Sequence, residues 1–391
     1  MRRVVALAFM AMLLSACSEP LEFADWTMPV PEGTRILEYA GIPVEQREHN
    51  IEVVETLRVG AGDDLRYSFY RPTDLAVASD GRLYVLDAGN HRIQVFDADG
   101  VFVTTIGREG GGPGEIQRRG QLVVTGNVLV RVGDDRISSW TLAGELIEDS
   151  SIAADGGTPA EIAALPDGTV VATFSASTAQ RSTSTTTTSF IRVRVDGTQG
   201  HVYARLTGPQ RTITLFSDRG FTIIGLPTPA PWVTVSRSGD VYVTNADEYQ
   251  VLAMNAEGKA RWALRTAWPR LPMTDEDRAR AVLRGVDGLS AADLDVAWPT
   301  HNPALANGGA GDAALYVDGH GHLYVFPFIR DQEGEVWPVD VYDADGEPLF
   351  SGQIGVPGWW DAAGDFVYRF EEDAATEERI VIRYRLVEPF E

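Results

Sequence analysis

The chain has 391 residues, with 33 Lys and Arg against 56 Asp and Glu, for a formal net charge of −23. At 44% hydrophobic residues it is too apolar to remain disordered, and its acidic balance opposes nucleic-acid binding, which needs basic patches to displace counterions. The single cysteine excludes an internal disulfide framework and any multi-cysteine zinc or iron–sulfur site.

The N-terminus opens with Arg2 and Arg3, followed by an apolar run from Val4 to Leu14 that is too short to span a bilayer. Small residues then lead to Cys17 in Leu14-Ser15-Ala16-Cys17. This resembles the lipobox of bacterial lipoproteins. The resemblance implies a signal peptide over 1–16, lipidation of Cys17 by acyl chains such as palmitate, and anchoring in the cell envelope, in the outer membrane facing the periplasm. Loss of the two arginines would leave 31 basic against 56 acidic residues. Residues 17–50 read as a lipid-anchored tether: prolines recur in the stretch 18–34 without a clean hydrophobic period.

A repeat organises the rest. Residues 72–107 parse into four short strands, Asp74–Ala78, Arg82–Leu86, Arg92–Asp97 and Val101–Ile106. Asp80-Gly81 joins the first pair and Asp99-Gly100 the last, and Asp-Gly between alternating apolar runs is a strong hairpin signal. Weaker copies follow over 121–147 and over 160–206, the latter carrying a Ser/Thr tract in its middle loop. Residues 231–264 keep the spacing of the turn glycines, since Gly239 and Gly258 stand 19 apart, as do Gly81 and Gly100. Between that copy and the next (312–354) lies a long insertion, 266–311. Its stretch of about 270–300 is predicted partly helical from the Thr274/Asp277 capping pattern and the spacing of Ala279, Val282, Leu283 and Val286. It is either a lid over the channel or a segment packed on a sheet edge.

The last copy, 358–387, has only three strands, and the stray strand 51–60 supplies the fourth. Radially repeated four-stranded units sealed by the two chain ends predict an all-β, six-bladed β-propeller over 51–391, closed by an N-terminal strand in the last blade and carrying a small helical insertion. The run P-x-D-L-A-V-x-x-D-G-R-L-Y-V-x-D-x-x-N-x-R-I-Q-V-F-D-x-D-G at 72–100 resembles an NHL-type repeat. The chain from about 51 to 387 is similar to bacterial six-bladed propeller lipoproteins of that superfamily, although only the first unit matches sharply.

Turns after first and third strands are tight, whereas every insertion falls on the opposite face, where first strands begin beside the channel. Long loops on a rigid scaffold commonly carry function. The channel-proximal polar and aromatic residues there are Asp74, Gln121, Glu161, Trp232, Asp312, Trp359 and Trp360. The chosen binding candidates are Asp74, Glu161, Trp232, Asp312, Trp359 and Trp360. The tryptophans could stack on a sugar or a side chain or simply fill the core. No catalytic residue is assigned. Propeller lactonases hold a divalent metal with oxygen ligands at the channel, so the resemblance makes Asp74, Glu161 and Asp312 the candidates for an ion such as calcium. His320 and His322 look like a metal pair but fall in a tight turn, and His301 lies in the insertion. The primary expectation is a membrane-anchored binding or scaffold protein presenting its loop face to a protein or glycan, with no nucleic-acid partner. The alternative is a metal-dependent, lactonase-like hydrolase or lyase.

Overall fold

The computed structural model describes residues 24–43, 46–60, 64–117, 120–152, 159–177, 185–209, 212–217, 220–225, 231–278, 300–305, 314–329, 336–355, 358–359, 361–373 and 378–387. Cys17, Asp312, Trp360 and most of the expected helical insertion lie outside them. Among the described residues no helix is long and apolar enough to cross a membrane.

The chain begins with β1 (Arg35–Ala40) and β2 (Asn50–Val59). The first repeat forms a four-stranded antiparallel sheet of β3 (Pro72–Val77), β4 (Leu83–Asp87), β5 (Arg92–Phe96) and β6 (Phe102–Ile106), within a residue or two of the expected strands. A second such sheet contains β7 (Gln121–Thr125), β8 (Val128–Gly133), β9 (Arg136–Thr141) and β10 (Leu146–Ser151). The third contains β11 (Pro159–Ala164), β12 (Val170–Ser177), β13 (Thr185–Val193) and β14 (Gln199–Pro209). Turn glycines such as Gly81 and Gly100 take φ of 84° and 78°, a region that side chains disfavour. At Asp97 the side chain completes the turn by accepting the N–H groups of Asp99 (3.0 Å) and Val101 (2.8 Å).

Two stretches differ from expectation. Much of the Ser/Thr tract is strand: β12 and β13 pair as far as Ser177 and Thr186, because β-branched threonines suit a pleated sheet. The Pro-rich stretch 208–231, which falls between two copies of the repeat and belongs to neither, contains a separate hairpin of β15 (Thr212–Ser217) and β16 (Gly220–Gly225).

The next sheet contains β17 (Trp232–Val235), β18 (Val241–Thr244), β19 (Gln250–Met254) and β20 (Ala260–Ala267), and β1 pairs in parallel with the outer edge of β20. The final strands are β21 (Leu315–Val317), β22 (Leu323–Val325), β23 (Trp337–Tyr342), β24 (Pro348–Ile354), β25 (Asp361–Ala363), β26 (Phe366–Glu372) and β27 (Arg379–Val387). As the sequence predicts, β2 pairs antiparallel with β27. Its first two residues also pair in parallel with β24, so β21–β24 and β25–β27 become one eight-stranded sheet in which β2 is the shared strand.

The core consists of apolar seams between consecutive sheets. Tyr84 and Ile93 meet Leu129 and Trp140; Val130 and Ile137 meet Phe174 and Ile191. Val171 and Phe190 meet Val241 and Leu252; Tyr242 and Trp262 meet Leu323 and Tyr342. Tyr324 and Val339 meet Trp359 and Val367; finally Phe370 and Val381 meet Leu83 and Phe96 of the first sheet. The seams therefore return to their start. Every residue of β4, β18 and β19 is buried, since these middle strands are covered on both faces, whereas outer β6 keeps alternating exposure. The described residues are all-β with almost no helix, their small antiparallel sheets set around an axis as a β-propeller.

Residues 24–43 and 46–50, read from the sequence within the tether, pack against the sheets. Met28 is buried in the seam beside β17–β20, and Thr27 donates its N–H to Gln250 (2.9 Å). Arg47 is buried against Asp340, with Nη1 2.9 Å from Oδ1. The same guanidinium donates to the carbonyls of Ile42, Val339 and Gly352, and stacks 5.3 Å from the ring of Trp268. Tyr249 donates its hydroxyl to Asp340 at 2.8 Å. Removing one member of a buried ion pair leaves the other without compensation. Arg47→Ala should therefore cost about 3–5 kcal/mol in equilibrium urea unfolding; a loss below about 1 kcal/mol, the range of exposed pairs, would show that the segment is not fastened there.

Candidate ligand-binding channel

The first strands β3, β7, β11, β17, β21 and β25 all contribute to the wall of one cavity of about 480 Å³. That size suits a small molecule, a side chain or a sugar. An innermost strand has a paired neighbour on one edge only, so its other edge presents backbone N–H groups that need acceptors.

Inward side chains provide several of them. Asp361 on β25 accepts the N–H of Val77 on β3 through Oδ2 (2.6 Å) and that of Ala362 through Oδ1 (2.7 Å). Asp74 on β3 accepts the N–H of Leu122 on β7 through Oδ2 (2.6 Å) and that of Leu75 through Oδ1 (3.0 Å). Gln121 on β7 accepts the N–H of Ile162 on β11 (2.6 Å), and its amide also donates to the Glu161 carboxylate. Each latch thus ties one first strand to the next. Asp74 and Glu161, expected as channel-mouth ligands, both line the cavity, and Asp74 also has this fastening role.

Burial pushes the Asp74 carboxyl well above the usual carboxylate range, despite the opposing effect of its two N–H donors; the charges of Glu161 and Asp361 push the same way. Its side chain keeps partial exposure to the channel. Burial likewise raises Asp361, opposed chiefly by the charge of Arg237. Arg237, in the turn after β17, donates to the carbonyl of Ala362 on β25 (2.6 Å) and so links two first strands at the tight-turn end of the cavity.

The other arc is aromatic. Trp232 lines the cavity half-buried and packs against the apolar seams on both sides of β21–β24. Trp359 also reaches the wall but is only 3% exposed; it packs 4.9 Å from Tyr316 and 5.0 Å from Tyr324, and its indole N–H points at the carbonyl of Val317 (3.4 Å). Sequence reasoning missed Arg237, Asp361 and Tyr316. Asp361 could have been found as the first residue of a first strand, whereas Arg237 looks like an ordinary turn residue.

Asp312, the third carboxylate of the expected metal set, lies outside the described residues. Asp74 commits one lone pair of each oxygen to an N–H group, and among the described residues no group of three or more His, Cys, Asp or Glu could hold a metal ion. His320 bonds Asp365 (2.8 Å) and His322 bonds Asp318 (2.9 Å) at the tight-turn face. His301 pairs with Thr300, and the nearby Thr274 and Asp277 form the expected reciprocal capping box (2.9 and 3.2 Å). The acidic pair Asp247 and Glu248 is met by Arg270.

The sharpest repeat motif is structural as well. Asp87, fully buried, accepts the backbone N–H of Tyr70 (2.7 Å), the Asn90 amide (2.7 Å) and Arg92 Nε (2.9 Å). Arg92 in turn donates to the carbonyls of Leu65 and Ser68, fixing the loop that leads from β2 to β3.

The NHL repeat family matches residues 69–96, the part that carries this motif. No curated protein matches the chain in sequence. Among solved structures, a candidate exported protein from Bacteroides fragilis is similar at 11% identity and a TM-score of 0.49, with 90% of this chain and 99% of that one covered. The calcium-binding protein regucalcin from Agrobacterium tumefaciens is similar at 13% identity and 0.41, over 91% and 98% of the chains. Virginiamycin B lyase from Staphylococcus aureus follows at 12% and 0.40, over 86% and 100%. At this level of likeness nothing of their activities transfers to the chain.

The latches give a stability prediction with a definite sign. Asp74→Ala orphans the Leu122 N–H and should cost about 1–3 kcal/mol. Asp74→Asn separates charge from shape. A carboxyl raised in the folded state destabilises the fold once the unfolded group ionises, near pH 4. Urea unfolding of the wild type should therefore lose stability relative to Asp74→Asn as pH rises from about 4 through the raised folded value; a difference that is flat or of opposite slope would mean that Asp74 is not desolvated.

Proposed function

We propose that the protein is a non-catalytic binding protein of the bacterial cell envelope: a β-propeller of six four-stranded blades, lipid-anchored through Cys17, whose axial cavity takes a ligand entering from the loop face. The observation that carries this reading is the composition of the cavity wall, with a hydrogen-bonding arc at Asp74, Gln121 and Glu161 and an aromatic arc at Trp232 and Trp359. Concave sites with an apolar wall and a few fixed polar groups are the usual form of small-ligand pockets. The blade count is supported by the seams that return to the first sheet and by β2, which completes β25–β27 as a four-stranded unit. A cavity of this size admits a protein side chain, a sugar residue or a small molecule, so a larger protein or glycan partner would engage it through one protruding group.

The metal-dependent hydrolase reading draws less support. It needs carboxylates free to converge on one ion, and Asp74 is engaged with backbone donors.

Native mass spectrometry on protein isolated from the cell envelope should find a bound species, and Ala163→Trp, which places an indole in the cavity, should abolish it while the melting transition stays cooperative. Wild-type protein that is always free of ligand, or ligand retained at full occupancy in that variant, would remove the cavity as the binding site. For the anchor, Cys17→Ser should move the protein from the membrane pellet to the soluble fraction; unchanged sedimentation would end the lipoprotein reading.

A further inference from the structure

Among the described residues that line the cavity, carboxylates outnumber guanidiniums: Asp74, Glu161, Asp318 and Asp361 stand with Arg237. At the tight-turn end the charges have local partners: Arg237 acts on Asp361, and Asp318 holds His322 together with the backbone N–H groups of His320 and His322 (both 2.9 Å). At the other end Asp74 is met by the neutral N–H groups of Leu75 and Leu122, while the charges of Glu161 and Asp361 oppose its ionisation. A desolvated carboxylate in that position gains from any cation that enters.

Trp232 gives the second, independent constraint. Among the described aromatic side chains on the cavity wall it is the one left partly exposed, while Tyr316 and Trp359 are buried. A hydrated inorganic ion would satisfy the carboxylates and leave the indole uncovered. An alkylammonium satisfies both, because its charge is attracted to the π face and its carbon atoms cover apolar surface.

We infer that the axial cavity binds an organic cation: an ammonium group carried on an apolar or aromatic body, with the charge toward Asp74 and Glu161 and the body against Trp232. This rests on the cavity being the ligand site.

The test compares benzylammonium, benzyl alcohol and benzoate, which share a ring and differ in charge, and includes Ca²⁺ as a separate arm. Isothermal titration of the intact protein at neutral pH, with tryptophan fluorescence read in parallel, should show benzylammonium binding once per chain and at least tenfold more tightly than benzyl alcohol, with no binding of benzoate. Glu161→Gln should weaken benzylammonium about tenfold without changing benzyl alcohol, and Trp232→Leu should weaken both. Thermal melts identify any variant that fails to fold, and Asp74→Asn gives a second charge-removing variant. Equal affinity for the amine and the alcohol would overturn the cation inference while leaving the cavity as a binding site. Stoichiometric Ca²⁺ binding with no response to benzylammonium would overturn it in favour of a metal ion. Benzylammonium binding at full strength in both charge-removing variants would place the cation elsewhere, and absence of binding by the whole series would also overturn it.

Discussion

Each sheet built from the repeats has two apolar faces, and a two-faced sheet is stable only with a neighbour on both sides. That requirement organises the rest of the structure. It makes β4, β18 and β19 buried at every residue, and it makes the seam between β25–β27 and β3–β6 as necessary as any other. Because the last repeat lacks its outer strand, closure falls to β2, which arrives from the N-terminal side and pairs along β27. The same strand touches β24, so the closing strand also ties two neighbouring sheets together.

Closure about an axis creates a second problem. The innermost strands converge with their free edges toward the channel, where N–H groups must be satisfied without another strand. Asp361, Asp74 and Gln121 solve it with side chains that reach one strand ahead, and these same groups give the cavity its polarity. The polar arc is therefore part of the fold before it is part of any site. In the binding role proposed for the cavity, a ligand would meet carboxylates already oriented by backbone donors, and an aromatic surface held by the apolar seams behind it. Preorganisation of this kind reduces the ordering cost of binding.

The sequence discloses the repeated hairpins plainly, because Asp-Gly turns between alternating strands are local signals; it also discloses the partnership of β2 with the last repeat, because an incomplete unit needs a fourth strand. Other parts are legible only in three dimensions. Arg47 sits in a short polar stretch without periodicity, and its importance comes from carbonyls and a carboxylate some 290 to 305 residues away. The Pro-rich stretch hides the β15–β16 hairpin because its strands pair only with each other and follow no repeat. Asp74 is recognisable as a polar residue at a strand start, but no sequence pattern says that the N–H of Leu122 will face it. Trp359 illustrates the converse: a tryptophan next to the channel that is almost wholly core.

Hydrogen exchange on the intact protein tests the closed ring most directly. A ring whose seams are all complete has no weak edge unit, so amides of β4, β8, β12, β18, β22 and β26 should exchange through one common global opening with the same denaturant dependence. Exchange of β26, β27 and β2 through a separate opening at much lower free energy than β4 and β8 would contradict the account, because it would leave the last sheet as a detachable flap and the channel without a fixed wall.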